Sequence, residues 1–578
     1  MNDPSDVDVT SGQPSRAAVL DRLVRSRLGR HDEPEQAPDA ATEAEPGPIP
    51  MTPLQRSLWL HGERYGHGRR QLVTWSACLT GEIDDAALEA ALRSTAGDGA
   101  LQVRFTVLDG ELVCLPEPHR EPVVFVDHSR EFTDLGPADR EAAGLRIVAG
   151  RVSEIDPAHG VFAATCVRID ANHLLIGLIA HHLVFDARSL RVFLDRLAER
   201  YEKRVRTSSS GPLRTARLSR PTAGTRDSIA YWTEVLADRP PGVGAQEGRG
   251  SRGGGRRDVA IGAPATRALR QLAVDCRASL FMVVFVGVAI AMRRAGAPAD
   301  VIIGVPVDTR EPEDADRIGC FVNTLPLRLR WADGAADYRA LLDDARRVVT
   351  EGLVHRDAAL ADISAALGGS RSASGALFDV TLNFLGVGVD ELYIDGVECE
   401  PLDLAVAEPE FGLSLFVREE GSELDIVLEY STRLLDATGA ELFGELLADV
   451  FDEMANHPDR VIPAVARTQL WRTADAGAAS TPPRDTALEA PVPHLQAVVA
   501  DVFAIVLEQA GPLTADDDFF LLGGHSLLAM RVAMELRLRT GVDLTLADIF
   551  DYPTVGELAA VIAGHQDAGT DIETEGCR

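Results

Sequence analysis

Residues 174–194 read LLIGLIAHHLVFDARSLRVFL, and this stretch decides how the middle of the chain folds. It opens with an apolar run that has the length and composition of a buried β-strand, and the segment after Asp186 has apolar residues at helical spacing. The strand therefore delivers His181 and His182 to its end. Because neighbouring strand residues point to opposite sides, we expect one imidazole to face a cavity and the other to pack or make a structural hydrogen bond. An isolated pair of histidines is more often structural than catalytic, so both interpretations are open from this stretch alone.

The surrounding sequence continues this mixed pattern. Runs typical of β-strands, such as HLLIGLIA and DVIIGVPV, alternate with helical ones such as SLRVFLDRLAERY, which predicts an α/β or α+β fold. Stretches rich in Arg, Ser and Gly at 203–226 and 242–257 interrupt the pattern and indicate loops or linkers. We therefore predict two lobes, at 52–220 and 221–468.

The two ends of the chain differ from this region in composition. Residues 1–48 predict a disordered leader with one short amphipathic helix, which is either frayed or docks an upstream protein. A stretch rich in Ala, Pro and Thr at 473–493 predicts a mobile linker. The segment 494–566 is small and helical, and the acidic tail 567–578 is predicted to be disordered.

Composition excludes several classes of function. A net charge of -32 argues against nucleic acid as a partner, because phosphate binding needs clustered Lys and Arg. No apolar stretch reaches membrane-spanning length and the first residues lack a signal peptide, so we expect a cytoplasmic protein with no membrane partner. The seven cysteines are scattered singly, which predicts reduced thiols and no metal site. Lys203 is the only lysine, so nucleotide-driven activation is expected to occur on another protein.

The second informative motif is DDDFFLLGGHSLLAMRVAMELRLRTG at 516–541. Two glycines end an apolar turn, and Ser526 opens a helix whose apolar positions run through Met530, Met534 and Leu538. The dipole and free N–H groups of a helix N-terminus favour an anion, which suits a phosphodiester attached to this serine. The alternative is that Ser526 is only the N-cap of the helix.

Residues 494–566 resemble a peptidyl carrier protein. The sequence LGGHSL at 522–527 matches the attachment motif of that family, and LTLADIFDYPTVGELA fits its third and fourth helices. This resemblance implies a small four-helix carrier domain whose Ser526 bears a covalent 4'-phosphopantetheine arm, added by a phosphopantetheinyl transferase.

Residues 52–467 resemble the condensation domains of nonribosomal peptide synthetases, whose signature is HHxxxDG. Further matches follow in family order and comprise TPLQRSLWL, SIAYWTEVL, GVPVDTR, IGCFVNTLPLR, LVHRD, LFDVTLNF and LEYSTRLLD. The resemblance implies two chloramphenicol-acetyltransferase-like lobes arranged in a V. It also implies roles for individual residues. His182 positions the attacking amine or acts as its base, His181 supports it, Asp186 pairs with Arg310 across the lobes, and Asn323 is a candidate for the cavity wall.

The chain departs from this family pattern at several points. Ala187 stands where the signature has glycine, and its methyl group is expected either to narrow access to the site or to be tolerated. The early RHExLRTxF motif is reduced to Arg104 and Phe105. These departures favour an atypical substrate or a weakened activity.

The resemblance implies amide formation between an upstream acyl or peptidyl thioester and an aminoacyl group on Ser526. The expected partners are an upstream carrier or synthetase, an adenylation protein acting in trans, and a downstream synthetase or release enzyme. Ester formation or transfer to a free amine is an alternative within the same chemistry. A catalytically silent platform with a carrier tether is the alternative from another class, since fold resemblance alone does not establish activity.

Overall fold

The computed structural model describes residues 47–65, 71–203, 223–471 and 493–574. Short gaps within these ranges fall at 109–110, 118–119, 241, 244–252, 333–335, 368–376, 386–390, 405–408, 410 and 463–468, and in brief breaks between 508 and 551. The predicted docking helix and the predicted linker up to Pro493 therefore lie outside the described residues.

Helices and strands are interspersed along the chain as far as the last strand, and the regular elements described after it are helices. The strands are β1 (Ile49–Pro50), β2 (Leu72–Gly81), β3 (Val103–Leu108), β4 (Glu111–Pro116), β5 (Val123–Asp127), β6 (Phe162–Arg168), β7 (His173–His181), β8 (Gly254–Ile261), β9 (Asp300–Asp308), β10 (Val322–Arg330), β11 (Val380–Leu385), β12 (Val397–Leu402), β13 (Leu413–Glu420) and β14 (Glu423–Ser431). The helices are α1 (Pro53–Tyr65), α2 (Asp85–Ala96), α3 (Pro137–Gly150), α4 (Ala187–Glu202), α5 (Ala223–Leu236), α6 (Ala263–Asp275), α7 (Leu280–Arg294), α8 (Tyr338–Val354), α9 (Leu360–Ala366), α10 (Ala437–Asn456), α11 (Pro493–Val506), α12 (Ser526–Thr540) and α13 (Val555–Thr574). This order confirms the predicted α/β region with a helical segment behind it.

The first large sheet has the strand order β12-β2-β7-β6-β5. Strand β7 lies at its centre, antiparallel to both β2 and β6, and is buried along nearly its whole length, as its continuous apolar sequence predicts. Helices α2 and α4 lie against each other beside this sheet, and a smaller sheet has the order β1-β4-β3. The strand that ends at His181 is therefore a central and almost fully buried strand of its sheet.

The second large sheet has the order β10-β9-β11-β13-β14-β8. Helix α7 is buried from Val283 to Arg294 and packs against α8 and α10, which explains its almost entirely apolar sequence. Strands β9 and β10 form an antiparallel pair, so the segment between them returns at the edge of the sheet. That returning segment contains Arg310 and Phe321, both of which reach the site described below.

One strand crosses from the second predicted lobe into the sheet of the first. Strand β12, which the predicted boundary assigns to the second lobe, pairs antiparallel with β2 in the first sheet, from Val397 opposite Gly81 to Leu402 opposite Ser76. The Ser76 hydroxyl also donates to the Leu402 carbonyl at 2.8 Å. A single division near residue 220 is therefore incomplete, because pairing partners far apart in sequence leave no local signal.

The C-terminal segment is helical, and α11, α12 and α13 share a core in which the Phe503 and Phe519 rings lie 5.1 Å apart. The buried face of α12 consists of Ala529, Val532, Ala533 and Leu536. The predicted face was wrong at Leu538, which is 80% exposed, because this helix is apolar on several sides and more than one stripe fits a helical period.

Helix α13 continues to Thr574, whereas the sequence predicts disorder from residue 567. Once a helix has nucleated, each further residue adds a hydrogen bond for a small loss of entropy, so a polar sequence can extend it.

Among the described residues, no single helix is long and apolar enough to span a membrane. Helices α6 and α7 pass that test of length and composition only as a pair, and they are bent by 109° relative to each other.

Candidate active site

The first histidine at the end of β7 belongs to the core. His181 is fully buried, its backbone N–H donates to the Val161 carbonyl at 2.8 Å, and its Nδ1 accepts the Leu183 N–H at 3.2 Å. A ring nitrogen that accepts a backbone N–H carries no proton, so the protonated nitrogen of the neutral ring is Nε2. These contacts give His181 a role in shaping the turn after the strand.

The second histidine has a different environment. His182 is only partly buried, and its backbone N–H donates to the Gln71 carbonyl at 2.9 Å. Its Nδ1 is buried and has no hydrogen-bond partner among the described residues. Desolvation lowers the pKa of the His182 imidazole below its usual 6.5, and the Asp186 charge and the Phe185 backbone oppose this only in part. A neutral imidazole at physiological pH therefore lies at the end of the strand.

Asp186 closes the turn after the histidines and opens α4 as its N-cap. Its Oδ1 accepts the Ser189 N–H and hydroxyl, both at 2.8 Å, and Arg310 Nη2 at 2.8 Å. Its Oδ2 accepts Arg310 Nη1 and the Phe321 N–H, both at 2.9 Å. The carboxylate thus accepts five hydrogen bonds. A buried charge requires such partners, because it has lost its hydrogen bonds to water.

The Arg310 side chain is 5% exposed and the Asp186 side chain 4% exposed, so water is nearly excluded from the pair. The guanidinium also lies 4.2 Å from the centre of the Phe321 ring, and its Nη2 lies 2.9 Å from the Ser189 hydroxyl. That hydroxyl accepts the Gly319 N–H at 3.0 Å. We call Asp186, Ser189, Arg310, Gly319 and Phe321 the latch, because they join the turn after β7 to the segment between β9 and β10.

Ala187 is the first residue of α4 and is exposed. Among the described residues other than glycine, only Arg277 has a positive φ, so Ala187 adopts a backbone conformation that alanine tolerates without strain. Alanine also has the highest helix propensity, which suits this position. The backbone thus accepts alanine here, and whether its methyl group narrows access to the site stays a prediction.

Asn323 braces a loop. Its Nδ2 donates to the Arg356 carbonyl at 2.8 Å and the Ala358 carbonyl at 2.7 Å, and its Oδ1 accepts the Thr324 N–H at 3.0 Å. The residue is 3% exposed. Both amide hydrogens are bonded to protein, so Asn323 supports this loop, and its place on a cavity wall stays a prediction.

Two glutamines near the site were missed from the sequence. Gln55 on α1 donates from Nε2 to the Leu183 carbonyl at 2.9 Å, in the turn that carries the histidines. Gln71 lies just before β2 and bonds to the backbone of His182. The only available signal for Gln55 was its place in TPLQRSLWL, and Gln71 had none, because its neighbour is set by the pairing of β2 with β7.

Helix α12 begins at Ser526, which therefore stands at the positive end of a helix of fifteen residues. Such a position fits the phosphodiester of a 4'-phosphopantetheine arm, since helix N-termini bind anions readily. The glycines at 523–524 lie outside the described residues.

Across the part of the chain that the structure describes, no group of three or more His, Cys, Asp or Glu residues could hold a metal ion. The six cysteines described there are free thiols.

Two family models match this chain. The condensation-domain model covers residues 46–466, and the model for the phosphopantetheine attachment site covers residues 494–562. These matches confirm both resemblances found in the sequence.

Curated relatives include multidomain synthetases. A protein of the linear gramicidin synthase from Brevibacillus parabrevis is 25% identical over 455 residues, which cover 74% of this chain and 9% of that protein. The dimodular nonribosomal peptide synthase of Bacillus subtilis is 27% identical over 496 residues, with coverage of 79% and 20%. Phosphinothricin tripeptide synthetase PhsC of Streptomyces viridochromogenes is 26% identical over 490 residues, with coverage of 78% and 43%. The chain thus spans less than half the length of each of these relatives.

Solved structures share the fold. The first condensation domain of the calcium-dependent antibiotic synthetase has a TM-score of 0.61 at 22% identity and covers 73% of this chain and 99% of that one. The X-domain from teicoplanin biosynthesis has a TM-score of 0.61 at 20% identity, with coverage of 73% and 98%.

Proposed function

The chain belongs to the condensation-domain family, with a phosphopantetheine carrier domain behind it, and on that premise we propose that it forms an amide between an upstream acyl or peptidyl thioester and an aminoacyl group tethered at Ser526. One observation carries the proposal. A partly exposed, neutral His182 at the end of β7 occurs in the same chain as a helix that begins at Ser526.

The role proposed for His182 follows from the chemistry of the attacking group. An amine attacks a thioester carbon only when its nitrogen bears a free lone pair. A neutral imidazole can accept a hydrogen bond from that amine and hold it in line with the carbonyl, or accept its proton as the C–N bond forms and the C–S bond breaks. We favour positioning, with His181 as the supporting residue in the core, because tethering the reactants already removes much of the entropic barrier.

Ser526 is proposed as the attachment point of the acceptor. When bound there, 4'-phosphopantetheine supplies a thiol that holds the aminoacyl group as a thioester. Asp186 and Arg310 act on the geometry of the site, since their bonds hold the turn after His182 in place. The acceptor at Ser526 retains the elongated chain in this scheme.

The partners proposed for this chain follow from its two domains. A phosphopantetheinyl transferase modifies Ser526, an upstream carrier or synthetase presents the donor, and a downstream synthetase or release enzyme takes the product. We propose that an adenylation protein acting in trans supplies the amino acid, since the residues matched by the two family models provide a condensation domain and an attachment site. We propose that these encounters take place in the cytoplasm, with neither nucleic acid nor membrane as a partner.

A catalytically silent platform is the second candidate. It is favoured by the reduced early motif, of which Arg104 and Phe105 remain, and by the shared fold with the X-domain, which has also been solved in complex with OxyB. Ala187 supports this candidate less than its sequence position indicates, since the backbone there is unstrained. Ester formation or transfer to a free amine would use the same histidine and differ only in substrate.

The test is the intact mass of the species held on Ser526 in the producing organism. Wild type is compared with His182→Ala, with Ser526→Ala to identify the attachment site, and with His159→Ala, an exposed histidine of the same lobe, as the matched control. We expect wild type and His159→Ala to carry an acyl-aminoacyl adduct. In His182→Ala the heavy adduct should fall at least about 100-fold, leaving the aminoacyl group alone, as for loss of the group that positions the attacking amine.

Each contrary result has a separate meaning. If His182→Ala carries the same heavy adduct as wild type, His182 does not catalyse condensation and the platform takes the lead. An adduct that survives in Ser526→Ala would disprove the assignment of the carrier site.

A further inference from the structure

Gln71 lies directly opposite His182. The register of β2 and β7 places Leu72 opposite His181, and the bond from the His182 N–H to the Gln71 carbonyl, at 2.9 Å, continues that ladder by one residue. Opposed residues of an antiparallel pair project their side chains to the same face, with Cβ atoms about 4.5–5.5 Å apart. Gln71 and His182 follow directly after the last pair of the ladder, so we expect their side chains to project to the same face.

The amide of Gln71 is held in one orientation. Its side chain is fully buried, and Nε2 donates to the Leu58 carbonyl of α1 at 2.8 Å. A carbonyl oxygen only accepts hydrogen bonds, so the nitrogen end of the amide must be the end that faces Leu58. The oxygen end, Oε1, is thereby the remaining free end of the side chain.

Two buried polar atoms at this corner have no hydrogen-bond partner among the described residues, and the structure does not bond them to each other either. They are Oε1 of Gln71 and Nδ1 of His182. An amide oxygen is an acceptor, and an imidazole Nδ1 that bears a proton is a donor, so the two atoms are complementary. Leaving both unpaired in a buried site is unfavourable, and a bond between them removes both penalties.

We propose that Gln71 is a positioning residue, whose Oε1 accepts the Nδ1–H of His182 and fixes the tautomer that presents the Nε2 lone pair to the substrate amine. The partner of one ring nitrogen decides which nitrogen is protonated, and an amide oxygen can only select Nδ1–H. Because the amide is uncharged, it orients the ring without adding a negative charge beside it. The role at the amine rests on the proposed function, whereas the tautomer does not.

The charged group that acts on His182 is Asp186, in the turn that follows, and a hydrogen bond with the Phe185 backbone also raises the pKa of the ring. Arg310 pairs with that carboxylate through both of its oxygens, so its charge is shared within the latch. Gln71 thus faces His182 from the segment just before β2. Asp186 is the charged group near His182 on the same segment as His182.

Gln55 provides a matched control. It also links α1 to the histidine turn, through Nε2 to the Leu183 carbonyl at 2.9 Å, but its Oε1 already accepts the Thr52 N–H at 3.0 Å. Gln55→Met therefore removes the hydrogen bond to the Leu183 carbonyl in this turn and leaves the proposed acceptor for His182 in place. Gln71→Met removes both the hydrogen bond to the Leu58 carbonyl and the proposed acceptor, whereas Gln71→Glu keeps an acceptor oxygen.

The experiment records long-range ¹H–¹⁵N correlations of the histidine rings in the full chain labelled with ¹⁵N-histidine, and the signal absent from His182→Ala identifies His182. Wild type and Gln55→Met should show the Nδ1–H tautomer above the titration midpoint. Gln71→Met should lose that preference. Gln71→Glu should retain it and raise the titration midpoint of His182 by roughly one pH unit, because a carboxylate then faces the ring.

Three results would overturn the proposal. They are a wild-type ring protonated on Nε2, a Gln71→Met spectrum that matches Gln55→Met, or a Gln71→Glu midpoint equal to that of wild type. The wild-type spectrum decides the matter even if a variant does not fold, and thermal unfolding of each variant verifies that it does. The readout needs no substrate, so a failed condensation assay with the expected tautomer would count against the proposed function and not against Gln71.

Discussion

Asp186 shows how the hydrogen bonds of one buried residue can shape the turn beside a candidate active site. Its carboxylate is nearly inaccessible to water and would be strongly destabilising alone, so its five hydrogen bonds are a condition for its presence there. Two of these come from Ser189 and two from Arg310, on segments far apart in the chain. The bonds fix where the turn after His182 ends, and hence where the imidazole lies.

Removing one partner of the Asp186–Arg310 ion pair should destabilise the fold. We expect Arg310→Met to lower the free energy of unfolding by about 3–5 kcal/mol, because it leaves the Asp186 charge buried without its cation. Arg347→Met is the matched control, since Arg347 forms exposed pairs on α8 and should cost less than about 1 kcal/mol. Urea unfolding of the two variants and wild type gives both values. Equal losses would mean that the latch pair adds no more than a surface pair.

The residue scale also marks the limit of prediction from sequence. Strand alternation predicts that His181 and His182 face different environments, and the HHxxxDG resemblance links Asp186 to Arg310. Gln71 could not be found this way, because its relation to His182 depends on strand register and its amide is held by a carbonyl of α1. Side chains placed by two unrelated tertiary contacts leave no pattern in a sequence window.

At the scale of elements, the pairing partner of β12 could not be predicted from the sequence. Its residues 397–402 form an ordinary short strand in a region assigned to the second lobe, yet it completes the edge of the first sheet beside β2. Helix and strand types follow from local periodicity, whereas strand neighbours are set by packing across the whole fold. Fold class was therefore predictable, and the exchanged strand was not.

The register of this pairing can be tested by a cross-link. Cys78 lies opposite Glu400, and Glu400 acts electrostatically on the Cys78 thiol, so a cysteine at position 400 is expected within disulfide reach. Mild oxidation of Glu400→Cys should close a loop of more than half the chain and speed its migration on a denaturing gel without reductant. Glu398→Cys, opposite Thr80, is the control and should not change mobility. No shift for Glu400→Cys, or the same shift for both, would refute this register.

On the whole-molecule scale, the described residues gather into separate apolar cores. One core lies under the six-stranded sheet and extends from Trp232 to Trp471, and another lies beside the five-stranded sheet around Phe162, Phe185 and Phe193. The sequence predicted two lobes and a helical segment from changes of composition and periodicity. Contacts that cross those divisions, the latch and β12, became visible only in three dimensions.

The composition of residues 473–493 predicts a linker, which limited proteolysis can test. We expect trypsin to cut after Arg472 or Arg484 and to release a C-terminal fragment that contains Ser526, because stretches rich in Ala, Pro and Thr without apolar periodicity are preferred sites of nicking. The masses of the fragments identify the cuts. The double variant Arg472→Gln and Arg484→Gln should not release the fragment, and a first cut within 494–562 would contradict the predicted boundary.

The exchanged strand affects the order of events on the ribosome. The ten residues of β2 leave the ribosome long before β12 exists, and the intervening chain is on the order of 300 residues, so at roughly 5–20 residues per second the outer edge of β2 waits about 15–60 s for its partner. An unpaired edge of that length is a template for another nascent chain on the same message. During synthesis of this protein the edge of β2 is thus exposed for tens of seconds and can pair with another chain. Once β12 has been translated, it covers this edge.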